Sequence, residues 1–496
     1  MRINPSLSPL PARLFKPAHA WHLLQRAGFG PDAAALDRAL ADGLPRTVDR
    51  LMDFNAVDPH SLNPPEVDPD VRKPLNREQR MAYRRARRAE DEEVLEDFRQ
   101  RRQEANQGDR QMINGLRQWW LDRMVRTPLP LQEKLTLMWH DHFATSYRSV
   151  RDAYLIYRQN ELLRAHACGD FAELALGVVR DPAMLKYLNN NQNRKQRPNE
   201  NLAREFMELF TLGEGRYTER DIKEAARALT GYTFHDNDFV FRENWHDPET
   251  KTILGLEKPY DGAMFVRRLL AQKACSEFVA LKLYRHLVAD VPDEPDQAPD
   301  HARGVIERLG KLIRDEKYDL RPVVRTLLLS QHFHDANHIG QKIKSPVHFA
   351  VGLQRMLGGP KRNLRPIGYM LHSAGQTLFA PPSVDGWAGG EAWINTSTLF
   401  LRQNLAAYLV TNHRRGASFN VKRLGYDPLA VVGDLGDEAT PTAYAHRAVD
   451  LMLGPHVQGP TRRAVVDHAS RADKLTPELA TSVLLLLTAA PEYQLC

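Results

Sequence analysis

Cysteine is scarce in this chain: Cys168, Cys275 and Cys496 are its three. None stands in a paired CxxC spacing, and an odd number leaves one outside any intramolecular bridge, which argues against a cysteine metal motif and fits a reducing compartment. Long hydrophobic runs are also missing. The most apolar stretch, VLLLLTAA near 483–490, is too short to cross a bilayer. The N-terminal segment has no apolar core of a leader, because Pro5, Pro9, Pro11, Arg13 and Lys16 interrupt it. No signal peptide is read there, and a cytoplasmic location is expected. No Walker loop, Gly-x-Ser-x-Gly elbow, HExxH or dinucleotide fingerprint occurs in a suitable context, so triad chemistry has no support.

What is present is ordinary for a folded protein. The 496 residues are 42% hydrophobic and 26% charged. This excludes disorder for the chain as a whole and suggests two to three domains or one elaborated domain. A net charge of +6 is mild over this length; it permits an anionic partner without demanding one.

Helical periodicity dominates, predicting a mainly α, multi-helical bundle with a small β-hairpin and long structured loops. Four segments are expected: an N-terminal helical segment (1–54), a Pro-rich linker with a long charged helix (55–110), a main helical body (111–410) and a C-terminal helical segment (411–496). AHAWHLLQRAGFG reads as a helix stopped at Gly28 and Gly30. Residues 55–75 read as a linker, and 77–109 as one long solvated helix with Glu and Arg at helical spacing. INGLRQWWLDRMVR and LQEKLTLMWHDHFATS are further helices, and Thr218 with Asp221 offers an N-cap. The alternating stretch 232–255 predicts a short hairpin. The Pro-, Gly- and Trp-rich stretch 376–398 reads as a structured functional loop, and 440–496 as two or three helices.

Several strings resemble one known family, the bacterial proteins catalogued as domain of unknown function 1800. They are HLLQRAGFGP (22–31), PLQEKLTLMWHDHFATS (130–146), RPNENLAREFMELFTLGEGRYTERDIKEAARALTGYTF (197–234), HDPETKTILG (246–255) and PPSVDGWAGGEAWINTSTLFLRQN (381–404). The resemblance implies bacterial origin and frequent genomic company with a family related to sulfatases, hence a sulfatase-like partner protein. Many relatives look exported, which keeps a periplasmic location open. It implies no activity.

Four clusters carry residue types fit for chemistry. In Trp139-His140-Asp141-His142 the imidazoles suit zinc, iron, copper or nickel, but on a helix they point about 200° apart, so both face one ion only if the helix ends there. Glu205 and Glu208 share a helix face beside Leu202, Phe206, Leu209 and Phe210, where a carboxylate must be paired, hydrated or metal-bound; Arg204 and Arg227 are the candidate partners. His246 and Asp247 complete a set of six expected metal ligands with His140, His142, Glu205 and Glu208. The bland readings are a capping histidine, surface ion pairs and a turn. Asp385-Gly386-Trp387, with Trp393 and Asn395, forms the fourth cluster. Its glycines allow close backbone approach and its Trp faces stack on sugars or cations, whereas the plain alternative is buried Trp and an Asn395 cap on the next helix.

The expectation is a metal-dependent hydrolase acting on a glycan or a phosphate or sulfate ester. A divalent ion of unknown identity is the cofactor; Glu205, Glu208 and Asp385 are catalytic; Arg204, Trp387, Trp393 and Asn395 bind substrate. The alternative is a non-enzymatic polysaccharide- or protein-binding protein. Nucleic acid ranks last, because the acids of 90–97 offset the arginines of 84–103.

Overall fold

The computed structural model describes residues 3–55, 62–412, 420–436 and 439–496. Part of the expected 55–75 linker, residues 56–61, and residues 413–419 and 437–438 of the C-terminal segment lie outside them. The chain is mainly α: 62% helical, with 21 helices and two small two-stranded antiparallel sheets among the described residues. No helix of the described residues is long and apolar enough to cross a membrane. The three cysteines are buried and free.

The charged stretch is a pair of helices rather than one. Helix Arg77–Ala89 stops where Glu90 takes a left-handed conformation, and Asp91 then caps helix Glu92–Arg126 through Val94 N–H. This second helix runs 35 residues without a break, so the exposed arm and the buried INGLRQWWLDRMVR share one element. Its inner end packs Ile113, Leu116, Trp120, Leu121 and Met124 into the core. Helix Pro130–His142 starts with a proline at its first position, where no N–H is missed, and ends at the second histidine of the cluster.

A buried carboxylate ties these helices together. Glu133, fully buried, accepts from Trp120 Nε1 at 2.8 Å and from Arg164 Nε at 2.8 Å, and pairs with Arg123. Helices Glu92–Arg126, Pro130–His142 and Ala153–Ala165 therefore meet on one charge. Farther along, helix Asn201–Met207 continues into a π-helical turn, Glu208–Leu212, closed by Gly213 at φ 84°. Such turns insert a residue into the helical ladder and recur at functional sites. Thr218 and Asp221 form the expected reciprocal cap.

The 232–255 stretch gives two hairpins where one is expected. β1 (Tyr232–His235) pairs with β2 (Asp238–Phe241), and β3 (Lys251–Ile253) with β4 (Leu256–Lys258). The second reaches past residue 255, because Leu254 and Gly255 at positive φ supply its turn. The C-terminal segment holds three helices, Pro441–Met452, Pro460–Ser470 and Pro477–Ala489.

Candidate functional site

One cavity of about 630 Å³ collects most of the chemistry. Two helices supply facing stripes. On Pro130–His142, residues Lys134, Leu137, Met138 and Asp141 line it, at the i, i+3, i+4, i+7 spacing of one helix face. On Lys273–Leu287, Phe278, Lys282, Arg285 and His286 do the same. The π-turn contributes Glu208, and the 382–393 loop closes the wall with Asp385, Trp387 and Trp393.

The loop is built onto Asp141. Trp387 N–H donates to Asp141 Oδ1 at 2.6 Å. Gly386, at φ 86°, lies so close that a Cβ would meet the Asp141 carboxylate and stand 2.6 Å from its carbonyl oxygen. The glycine of Asp385-Gly386-Trp387 thus allows a close approach, but to a carboxylate of the first cluster. Burial raises the Asp141 carboxyl to about 6, although the Trp387 N–H, Lys282 and Arg285 all favour its charged form.

Across the cavity, burial lowers the Lys282 ammonium to about 8; neighbouring Arg285 adds to this, while Asp141, Glu294 and Asp385 oppose it. His142 hydrogen-bonds through Nε2 to the Phe210 carbonyl at 3.0 Å. That places the proton on Nε2 and leaves Nδ1 a bare acceptor, buried and without a partner among the described residues. Burial, reinforced by Lys282, holds this imidazole neutral down to about 3.

The floor is basic. Arg26 donates through Nη2 to the His338 carbonyl at 3.0 Å, while its Nε and Nη1 are buried with no partner among the described residues. Lys134 Nζ lies 3.0 Å from His348 Nδ1 and is lowered to about 7, chiefly by burial; charge at Cys496 opposes this, and Arg26, Lys342 and Lys344 deepen it. Lys342 pairs with Asp290, over which Gly390 passes at positive φ.

The sequence-predicted residues divide into groups. His142, Glu208, Asp385, Trp387 and Trp393 line the cavity together. Glu208 accepts from the Tyr217 hydroxyl, and Asp385 from Ser383 Oγ at 3.0 Å. Glu205 stands behind them, half-buried, its carboxyl raised by burial and then by Glu208 and Asp385. Its expected partners turn elsewhere: Arg204 pairs with Glu200 and Glu219, and Arg227 with Glu224 and Asp247. His140 points the other way from His142, into Trp120, Phe379 and Trp387, and accepts from Phe379 N–H at 3.1 Å. His246 and Asp247 sit by the hairpins, on Thr230 and Arg227. Asn395 caps helix Thr396–Thr411, accepting from Thr398 N–H.

The six expected metal ligands are therefore dispersed over three places. Among the described residues no group of three or more His, Cys, Asp or Glu is placed to hold a metal ion. The residues that sequence reasoning missed are Asp141 itself, Lys282, Arg285, Arg26 and Lys134. A usable signal was present: Lys282, Arg285 and His286 interrupt the apolar run FVALKLYRHL at i, i+3 and i+4, a polar stripe on a buried helix.

No match was found among curated proteins, and none among solved structures. The family described as "Protein of unknown function (DUF1800)" matches residues 22–495, nearly the whole chain. All four clusters and both helical stripes of the cavity fall inside that match, and the chain belongs to this family.

Proposed function

We propose that the chain is an enzyme whose active site is the Asp141–Lys282 cavity, and that it hydrolyses an ester or glycosidic bond in an anionic substrate by general acid–base chemistry. One observation carries the reading. A carboxyl raised to about 6 and an ammonium lowered to about 8 line the same enclosed space. Pairs of titratable groups tuned towards neutral pH are what proton transfer to and from a reacting centre requires. Between those values Asp141 is charged and Lys282 protonated. Asp141 takes a proton from water as it attacks; Lys282 gives one to the leaving oxygen. His142 Nδ1 accepts a hydrogen bond from the substrate or the water.

The floor supports the substrate's charge. Arg26 and Lys134, both in the lining, give the floor the charge that suits a compact oxyanion such as a phosphate, sulfate or carboxylate. Trp387 and Trp393 would wall a sugar ring or another flat group. The sulfatase-like partner implied by the family resemblance would then handle the same kind of substrate.

The test uses p-nitrophenyl phosphate, p-nitrophenyl sulfate and p-nitrophenyl glucuronide with the wild type and Asp141→Asn. The expected result is turnover of at least one, with a pH optimum between about 6 and about 8. The substitution should reduce kcat by roughly 10²–10⁴, with the circular dichroism spectrum unchanged. Equal turnover by the variant would remove Asp141 from the chemistry. EDTA and added Mg²⁺, Mn²⁺ or Zn²⁺ test the divalent ion in the same assay.

A further inference from the structure

The segment after helix Leu364–Ser373 borders two hollows. Gln376 lines the cavity above; the next residue, Thr377, lines a separate groove of about 1020 Å³. Helix Glu92–Arg126 forms one wall of that groove, and the Tyr147–Val150 turn and helix Leu364–Ser373 the other. A second hollow of about 570 Å³ shares five of the same helix residues and extends the groove to Arg99. From Arg99 to Gln118 the lining positions of this helix recur three and four apart. At 1.5 Å per residue they make a track about 30 Å long.

Its composition is one-sided. Among the described residues seven arginines line the main groove, with no lysine and no carboxylate. Arg72 is paired with Asp109, which is buried beneath and also accepts from Tyr147 Oη. Arg102, Arg110, Arg117, Arg148, Arg151 and Arg365 have no ion-pair partner among the described residues. Between them stand amides, Asn106, Gln111, Asn114 and Gln118. The acids earlier on the helix stay at the far end, outside the main groove: Glu92 and Glu96 pair with Arg99, and Asp97 with Arg101. Gathering like charges in a concave surface is unfavourable and concentrates positive potential, which an anionic ligand relieves.

We propose that this groove binds a linear acidic polysaccharide. Arginine forks match carboxylate and sulfate groups two bonds at a time, and the amides match the hydroxyls between them. Tyr369, 69% exposed on the groove wall, offers a flat face for a sugar ring. A single-stranded nucleic acid calls for a row of aromatics on which successive bases stack. Among the described residues Tyr369 is joined there only by His372, whose ring hydrogen-bonds Thr377, since Tyr147 is partly buried with its hydroxyl on Asp109, and two rings make no such row. The site goes beyond the hydrolytic reading and does not depend on it.

The test is fluorescence anisotropy on the full chain at about 150 mM salt, where diffuse surface attraction is screened. The probes are labelled polygalacturonate, dextran sulfate and an oligo-dT strand. Arg110→Gln/Arg148→Gln/Arg365→Gln is compared with Arg84→Gln/Arg87→Gln/Arg88→Gln, which removes equal charge from exposed positions on helix Arg77–Ala89. At least one polysaccharide is expected to bind. The groove variant should weaken it by about tenfold or more, and the control by less than about twofold. Whichever polysaccharide binds tighter identifies the acid group as carboxylate or sulfate. Binding of neither, equal weakening by the control, or tighter binding of oligo-dT than of both polysaccharides would overturn the proposal.

Discussion

Asp141 accepts a backbone hydrogen bond, faces two cations, and still holds its proton to about pH 6. Burial is the dominant cause, so the ionised side chain costs stability. The sign follows from linkage. The carboxyl titrates higher in the folded chain than unfolded, so the penalty is absent below about pH 4, grows between 4 and 6, and is complete above. Asp141→Asn keeps an acceptor for Trp387 N–H and removes the charge. It should raise stability by about 1–2 kcal/mol at pH 8 and leave it unchanged at pH 3.5, as urea titrations at the two pH values would measure. A second test concerns the loop. Gly386→Ala would place a methyl against Asp141 at a left-handed φ and should cost about 1–3 kcal/mol. Gly389→Ala, where φ is −93° and a Cβ meets nothing within 4 Å, should stay within about 0.5 kcal/mol.

Among elements, helix Pro130–His142 does two jobs on two faces. One face presents Lys134 and Asp141 to the cavity; the other sends Glu133 into the Trp120–Arg123–Arg164 network. Burial pushes the Glu133 carboxyl up, but Arg164 and Arg123 more than offset it, and it titrates below its ordinary range. Glu133→Gln would leave Arg123 without its counter-charge and Arg164 with Glu161 alone, and should cost about 2–4 kcal/mol at neutral pH, read from thermal or urea unfolding. Because the folded carboxyl is depressed, this contribution is present above the unfolded value and lost as pH falls below it. The helices themselves were legible from periodicity, and so were the Thr218 and Asn395 caps. Two boundaries were not. The break at Glu90 carries no glycine or proline, and only a left-handed Glu followed by an Asp cap makes it. The π-turn at Glu208 has no spacing in the sequence that encodes it.

For the whole molecule, the sequence points to three segments that meet in one cavity but not to which side chain of each faces inward. The histidine cluster, the Glu208 turn and the Asp385–Trp393 loop do converge. The central member of the first cluster is the aspartate between the histidines, because the helix ends there and aims His140 into aromatic packing instead. His246 and Asp247 fall out of the site because Arg227 and Thr230 hold them at the hairpins. The arginine track is hidden in a sequence whose net charge is modest, since acids and bases separate only once the charged stretch folds into its two helices.

The account turns on Asp141 being a carboxyl tuned by this cavity. Carbon-13 NMR of protein labelled at aspartate Cγ, with the Asp141 resonance identified by its loss in Asp141→Asn, measures this directly and needs no substrate. The predicted midpoint is about 6. A midpoint in the ordinary carboxylate range near 4 would contradict it, for the carboxylate would then be an untuned and weaker base, no different from an exposed one.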